Sequence, residues 1–312
     1  MHQISILTPT FNRSKYLPRI YDCLCQQRDI DFEWIIVDDG SSDNTNSVVS
    51  SFKNIFPIKY IYQENRGQTS ARNTGTEMAN SFIMAKLDDD DLLCPDILKT
   101  AWNYFDVNTG LFENNCVCLS GLFQFDNGDI VGEKFHRDYY ISDHIRYRHN
   151  RPVHGDKFEF YVTELLKKYP FPVFLGEKNI TPLIVHERIA REHKTLYVNH
   201  IFGVKYFYQG GLSTQTYSYK YPLGSELYYN EASMFPFKIK LRIKHSSRYI
   251  FFAKLNKKRK IFYNAKNKWI YPIGLIRYYM IKLKMFLEKY YFPRTIISYF
   301  FKGKRNKRLT VE

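Results

Sequence analysis

Residues 82–91 read FIMAKLDDDD, an apolar run that passes without a break into four carboxylates. A short apolar segment ended by an abrupt polar turn reads as a buried strand whose C-terminal end opens on a loop. The same pattern occurs twice upstream: residues 4–8, ISILT, stop at Pro9, and residues 32–37, FEWIIV, stop at Asp38-Asp39-Gly40. Helical spacing fills the gaps. Leu17, Ile20 and Leu24 recur through residues 15–27, and Ser41-Ser42-Asp43 forms an N-cap region ahead of Val48, Val49 and Phe52. A strand at 58–62 and a helix at 69–80 complete the alternation. Strands and helices in turn predict an α/β fold with a mostly parallel sheet and helices on both faces. Ligands of such sheets bind beyond the carboxyl ends of the strands. Here those ends carry Thr8-Pro9-Thr10, Asp38-Asp39 and the acids at 88–91.

Four adjacent carboxylates repel one another unless a cation or solvent relieves them. Mg2+ and Mn2+ take oxygen ligands and bridge one or two carboxylates to substrate phosphates, so the cluster suits a metal-diphosphate site. Its other reading is a solvated turn capping the helix that begins near Pro95. Two acidic strand ends on one sheet edge favour the crevice over the cap. Basic groups for an anion stand at the neighbouring loops: Asn12-Arg13, Arg66-Gly67-Gln68 and Arg72-Asn73. The last two flank a helix start, where guanidinium and free N–H groups can both face phosphate.

Beyond Pro95 the spacing predicts a helix to about residue 108 and then a change of pattern. Asn127-Gly128 between apolar runs signals a hairpin. Residues 158–168 and 181–193 read as helices and 197–208 as a strand, followed by Gly210-Gly211-Leu212-Ser213, a loop that could close over a ligand. Trp102 and Phe105 fall at core spacing. His136, His144, His149 and His154 have no metal-ligand spacing and read as loop or acceptor contacts. The five cysteines form an odd set whose closest pairs have one residue between them, so reduced, mostly buried thiols are expected.

The chain's 312 residues allow two domains, and 44% hydrophobic content excludes a disordered polymer. Neither a basic leader before an apolar core nor 18 uncharged apolar residues in a row is present, so neither a secretory signal nor a membrane span is expected. The formal net charge of +15 resembles a nucleic-acid signal until it is divided. Residues 235–312 hold 22 Lys/Arg against 2 acids, and the preceding residues 24 against 29. An acidic body with a basic arm suits an anionic surface better than nucleic acid. Within the arm, Trp269, Ile273, Ile276, Met280, Leu283 and Leu287 form a helical stripe, with Lys257-Lys258-Arg259-Lys260 before it and the basic run 302–308 after it. Such a helix can lie in a membrane interface, which predicts a cytoplasmic protein peripheral to the inner face of the cell membrane.

The segments ISILTPTFNRSKYLPRIYDCLCQQ, EWIIVDDGSSDNT, NRGQTSARNTG and MAKLDDDDLL strongly resemble, in order and spacing, the nucleotide-sugar domain of family 2 glycosyltransferases, which have the GT-A fold. The resemblance covers about residues 1–100, and a weaker one to the acceptor half of a bacterial subgroup continues through GDKFEFYVTELLKKYPFPVFLGEKN and HERIAREHKTLYVN. It implies inverting transfer of a sugar from a nucleotide-diphosphate donor to an acceptor hydroxyl, in surface polysaccharide or glycolipid assembly, with Mn2+ or Mg2+ as cofactor. Thr8, Pro9 and Asn12 would line the nucleoside pocket, Asp39 would read the base and Arg72 would hold the nucleotide. Asp88 and Asp89 would lie beside the nucleotide, and Asp90, with Asp88, would bind the metal. The implied organisation is a donor half at 1–110, an acceptor half at 111–234 and a basic helical region at 235–312.

One position departs from the pattern. Relatives carry the general base as an acid seven residues before Arg-Ile-Ala; here Arg188-Ile189-Ala190 puts Thr181-Pro182 there. Glu177 is the nearest upstream acid and the first candidate base, Glu187 the second, and Asp156 could bind the acceptor or act as base. If none reaches the acceptor, a degenerate transferase scaffold with a binding role is the remaining expectation.

Overall fold

The computed structural model describes residues 1–105, 114–145, 147, 153–206 and 220–290, with side chains as far as 285. It divides into two compact units, Met1–Tyr228 and Tyr229–Glu312. The loop at 210–213, His149 and the basic run 302–308 lie outside the described residues.

The first unit is built on a mixed sheet of nine strands. β1 (His2–Thr10) pairs in parallel with β2 (Phe32–Asp38) and β4 (Ser81–Lys86), and β3 (Ile58–Tyr62) lies beyond β2. β1 and β2 are buried almost throughout, because helices cover both faces. Ile4, Ile6, Trp34 and Ile36 pack with Leu17, Ile20 and Leu24 of α1 (Leu17–Leu24). Leu7, Ile35 and Val37 point the other way, onto Ala71 of α3 (Gln68–Met78). α2 (Thr45–Ser50) and α4 (Ile97–Tyr104) complete this half. The register sets Thr10 beside Asp38 and Leu7 beside Lys86, so the acidic strand ends open side by side.

Past β4 the sheet changes direction. β8 (Lys157–Val162) pairs antiparallel with β4 and with β6 (Cys116–Gln124), and β9 (Lys194–Lys205) runs parallel to β6. β5 (Asp91–Leu93) and β7 (Tyr140–Ser142) each pair antiparallel with β9. Six of the nine strands run the same way, as a mostly parallel sheet requires. The expected hairpin is present: Gly128 takes φ +87°, and the Val131 N–H donates to the Phe123 carbonyl at 2.9 Å.

Residues 158–168 depart from the expected single helix. Their first half is strand β8, and only α5 (Thr163–Lys168) is helical. KFEFYV alternates with period two, which sends Phe158 and Phe160 into the main core while Glu159 and Tyr161 face the opposite side. α6 (Leu183–Ile189) is shorter than expected, and β9 starts at Lys194. All five cysteines are free thiols, three of them buried.

α7 (Pro222–Ala232) leads to the helical second unit, which contains α8 (Ile239–Leu255), α9 (Ile261–Asn264) and α10 (Tyr271–Tyr290). Tyr249, Ile250, Phe252 and Ala253 are buried in this unit together with Ile270, Tyr271 and Tyr278. Gly274 lets α10 approach α8 closely, since a Cβ there would stand 2.4 Å from Ser246 Oγ. The sequence stripe points outward instead: Trp269 is 93% exposed, and Ile273, Ile276, Met280 and Leu283 are all exposed. Among the described residues no helix is long and apolar enough to cross a membrane.

Candidate functional site

The β1 and β2 ends are knitted to their neighbours by the residues read from the sequence. Asn12, at φ +52°, accepts from the Ser42 N–H at 2.7 Å through Oδ1, and its own N–H donates to Ser41 Oγ at 2.8 Å. The buried Asp39 carboxylate accepts the Arg66 and Gly67 N–H groups at 2.9 and 2.8 Å and the Gln63 amide at 2.7 Å. It therefore holds the loop that starts α3 and carries Arg72. That loop needs glycine at 67, where φ is +94° and a Cβ would lie 2.3 Å from the Lys178 backbone. Asp38 accepts from the Ser41 N–H and the Tyr60 hydroxyl at 2.8 and 2.6 Å. Pro9 is buried, and so is Thr8. Its hydroxyl is fully buried and accepts from Trp34 Nε1 at 3.0 Å, so its side chain packs inside the sheet's core.

The acid turn after β4 meets the protein's own cations. Arg13 reaches Asp89 through Nε at 2.8 Å and Asp90 through Nη2 at 3.0 Å. Lys86 pairs with Asp88, to which Gln68 also donates at 3.3 Å. Lys205 bridges Asp91 at 3.1 Å and Asp156 at 3.3 Å. Burial alone would push the Asp88 carboxyl up, but Lys86, Arg72 and Lys205 outweigh it and hold it well below the ordinary range. Burial pushes Asp89 up to about 7 against the pull of Arg13, and Asp91 up to about 7 against Lys205. The protein's own cations offset part of the mutual repulsion, while the neighbouring aspartates still push Asp89 and Asp91 upward. Lys86 was readable, because residues two apart on a strand share a face with Asp88. Lys205 was not, because it lies 114 residues from Asp91.

Asp88, Asp91 and Asp156 share a cavity of about 280 Å³ with Arg72, Lys205 and His186. Arg72 is buried there, its guanidinium 5.5 Å above the Phe171 ring. Pro182, at the position where an acid was expected, also lines the cavity. Neither glutamate nominated as base does so. Glu177 accepts the Leu223 and Gly224 N–H groups at 2.6 and 2.7 Å, one carboxylate oxygen to each, and so caps the N-terminus of α7. Glu187 is fully buried and accepts from the Tyr228 hydroxyl at 3.1 Å. Asp156 remains as the exposed carboxylate of the three. Two further residues, unmarked in the sequence reading, meet at the cavity wall: His186 Nδ1 lies 3.1 Å from Glu159 Oε2. The period-two pattern of 157–162 would have placed Glu159 on that face, and the spacing of four residues from Pro182 would have placed His186 there. His144, read as a loop or acceptor contact, is buried with its ring 5.9 Å from His186.

Among the described residues no three His, Cys, Asp or Glu side chains converge to hold an ion by themselves. Asp88 and Asp90 carry hard carboxylate oxygens, the donor type that Mg2+ and Mn2+ take, and in this structure those oxygens pair with Lys86 and Arg13.

The family model "Glycosyl transferase family 2" matches residues 5–160, half of the chain and all of the strand-end acids. The chain belongs to glycosyl transferase family 2. Within this family it is 38% identical over 101 residues to validoxylamine A glucosyltransferase of Streptomyces hygroscopicus, covering 31% of this chain and 24% of that protein. It is 35% identical over 143 residues to chondroitin synthase of Escherichia coli, 46% and 20% of the two chains. It is 33% identical over 108 residues, a third of each chain, to the poly(ribitol-phosphate) beta-N-acetylglucosaminyltransferase TarP of Staphylococcus aureus. The matched segments span between a fifth and a third of these relatives' lengths. The structure of S. aureus TarS 1–349 in complex with UDP-GlcNAc superposes with a TM-score of 0.60 at 17% identity, over 88% of this chain and 80% of that one. The family 2 member described here therefore has the GT-A fold, as its sequence resemblance implied.

Proposed function

We propose that the protein is an inverting, metal-assisted glycosyltransferase that moves a sugar from a nucleoside diphosphate to an acceptor hydroxyl of a surface polysaccharide or lipid-linked glycan. The carrying observation is the pair of acidic strand ends on either side of β1, Asp39 beyond β2 and the 88–91 turn beyond β4, with Arg72 buried next to Asp88. In this reading Pro9, Asn12 and Asp39 frame the nucleoside, Arg72 neutralises the diphosphate, Asp89 lies beside it, and Asp88 and Asp90 hold Mg2+ or Mn2+. When bound, the ion supplies charge neutralisation to the departing diphosphate. Arg13 and Lys86 hold the carboxylates in place through their ion pairs, and Asp156 receives the acceptor beside Lys205. A single displacement inverts the anomeric carbon. The donor half at 1–110 and the acceptor half at 111–234 meet at the 280 Å³ cavity in this assignment.

The test is thermal-shift binding of UDP-, GDP-, CDP- and dTDP-sugars with and without Mn2+, since a ligand of the folded state raises Tm by mass action. One nucleotide should give a metal-dependent shift that is lost in Asp90→Asn. No shift with any donor, from folded protein, transfers the assignment to a degenerate scaffold.

The basic region at 235–312 is proposed as a peripheral anchor on the cytoplasmic face of the membrane. Its exposed stripe of Trp269, Ile276, Met280 and Leu283 is bordered by Lys282, Lys284 and Arg277, which matches an apolar interface beneath anionic headgroups. Flotation with phosphatidylglycerol vesicles should exceed that with phosphatidylcholine alone, weaken with salt and fall in Trp269→Ser/Met280→Ser. Equal flotation with neutral vesicles, or none with either, overturns the anchor.

A further inference from the structure

The transferase reading needs a proton acceptor on the acceptor side of the site, and the positions nominated from sequence do not provide it. Thr181-Pro182 carries no titratable group, Glu177 is spent on the α7 terminus, and Glu187 is buried against Tyr228. Asp156 is exposed and engaged by Lys205 at 3.3 Å, a contact that suits it to hold the acceptor hydroxyl by a hydrogen bond. On the same cavity stands His186, one turn of α6 beyond Pro182.

We infer that His186 is the general base of this protein and that Glu159 is its positioning residue; the inference rests on the transferase assignment above. Three observations carry it. His186 lines the cavity that also holds Asp88 and Arg72. Its Nδ1 lies 3.1 Å from Glu159 Oε2, which fixes the tautomer with the proton on Nδ1 and the basic lone pair on Nε2. Glu159 is itself held, by the Tyr161 hydroxyl on Oε2 at 3.2 Å and by Ser120 on Oε1 at 3.4 Å, across the paired strands β6 and β8. A histidine oriented by a fixed carboxylate is the arrangement that makes imidazole an effective base and steadies the imidazolium it becomes.

The step balances as a displacement. His186 Nε2 takes the proton of the acceptor hydroxyl as its oxygen bonds to the anomeric carbon. The bond from that carbon to the diphosphate oxygen breaks, and its electron pair leaves with the nucleoside diphosphate. Glu159 pairs with the imidazolium through its contact with Nδ1. The rings of His144 and Tyr161 pack against this histidine, and the other titratable and charged groups lining its cavity are Asp156, Lys157, Arg72, Lys86, Lys205, Asp88 and Asp91.

The experiment uses the full chain and has two arms. Long-range proton–nitrogen NMR of histidine-labelled protein, without donor, should find His186 protonated on Nδ1, and Glu159→Gln should disturb that resonance. Protonation on Nε2 overturns the inference whether or not a donor is ever found. In the second arm the nucleotide sugar selected by thermal shift is hydrolysed with water as acceptor. His186→Gln should lower turnover about 100-fold while the nucleotide's thermal shift is retained. Imidazole added to His186→Ala should restore part of the rate, and Glu159→Gln should move the rising limb of the pH profile to lower pH. Variants that keep the Tm and turn over within threefold of wild type overturn the base assignment and leave the transferase reading intact. A wild type that binds no nucleotide overturns the transferase reading, and the inference with it.

Discussion

The acids of the molecule fall into two neighbourhoods that a sequence cannot tell apart. At the β1, β2 and β4 ends, Asp39 and the 88–91 turn meet N–H groups, arginine and lysine drawn from several chain segments, and Asp88 and Asp91 line a cavity. Around α6, Glu177 and Glu187 meet a helix terminus and a buried hydroxyl, which consume them. The difference lies in what converges on each carboxylate. Strand ends deliver several chain segments to one edge, whereas an acid next to a helix start is drawn into satisfying its orphan N–H groups.

This contrast can be broken or sharpened by substitution. The largest expected effect is on Asp90→Asn, which should lower transfer about 100- to 1,000-fold and remove the response to Mn2+, read by nucleoside-diphosphate release. An unchanged rate would put the strand-end acids in the same structural class as Glu177. Next is Gly67→Ala, which should cost about 3 kcal/mol in urea unfolding, because φ is +94° there and the Lys178 backbone blocks a methyl. A smaller effect attends Glu177→Ala: loss of the α7 cap should cost about 1 kcal/mol by thermal denaturation and leave turnover within threefold of wild type. A large loss of turnover at unchanged Tm would restore Glu177 as the base.

The smallest expected effect concerns Glu33, an acid inside the sheet. Burial would push its carboxyl up, but Lys59 at 2.6 Å, the Ser5 hydroxyl and the Asn80 N–H outweigh burial and hold it below the ordinary range. Its folded value is lower than its unfolded one, so the stability it adds is present above the ordinary glutamate range and is lost as pH falls through the folded value. Glu33→Gln should therefore flatten the fall in Tm between about pH 5 and pH 3 by about 2 °C. An unaltered slope would mean that these three donors do not discriminate its charged form.

The donor half was legible because its signals are local. FIMAKL, FEWIIV and ISILT each carry their own burial pattern and their own terminating turn, so β1, β2 and β4 were placed to within about two residues. β8 was missed because KFEFYV borders TELLKK, and a short alternating strand that enters a helix without a break reads as one helix. The strand-end acids were found as chemistry, but their partners were found only in part: Arg13 and Lys86 lie close in sequence, while Lys205 arrives through β9. The pair His186–Glu159 joins a helix to a strand across 27 residues and has no local signature. The Thr8 contact was equally illegible, since nothing in TPT reveals that the first hydroxyl turns inward to Trp34.

The pairing of β5 with β9, which sets Asp91 directly opposite Lys205, also bears on the order in which the molecule can assemble. The pairings among β1, β2, β3 and β4 lie within the first third of the chain, and such local pairings form early. β5 pairs with β9 alone, so the turn at 88–91 lacks its Lys205 bridge on a growing chain until β9 has been made. A fragment ending near residue 110 would keep the parallel strands and lose the lysine that bridges the acid turn to Asp156. Completion of the donor edge is in this way deferred to the arrival of the acceptor side, and a nascent chain cannot present the finished acid turn before both halves exist.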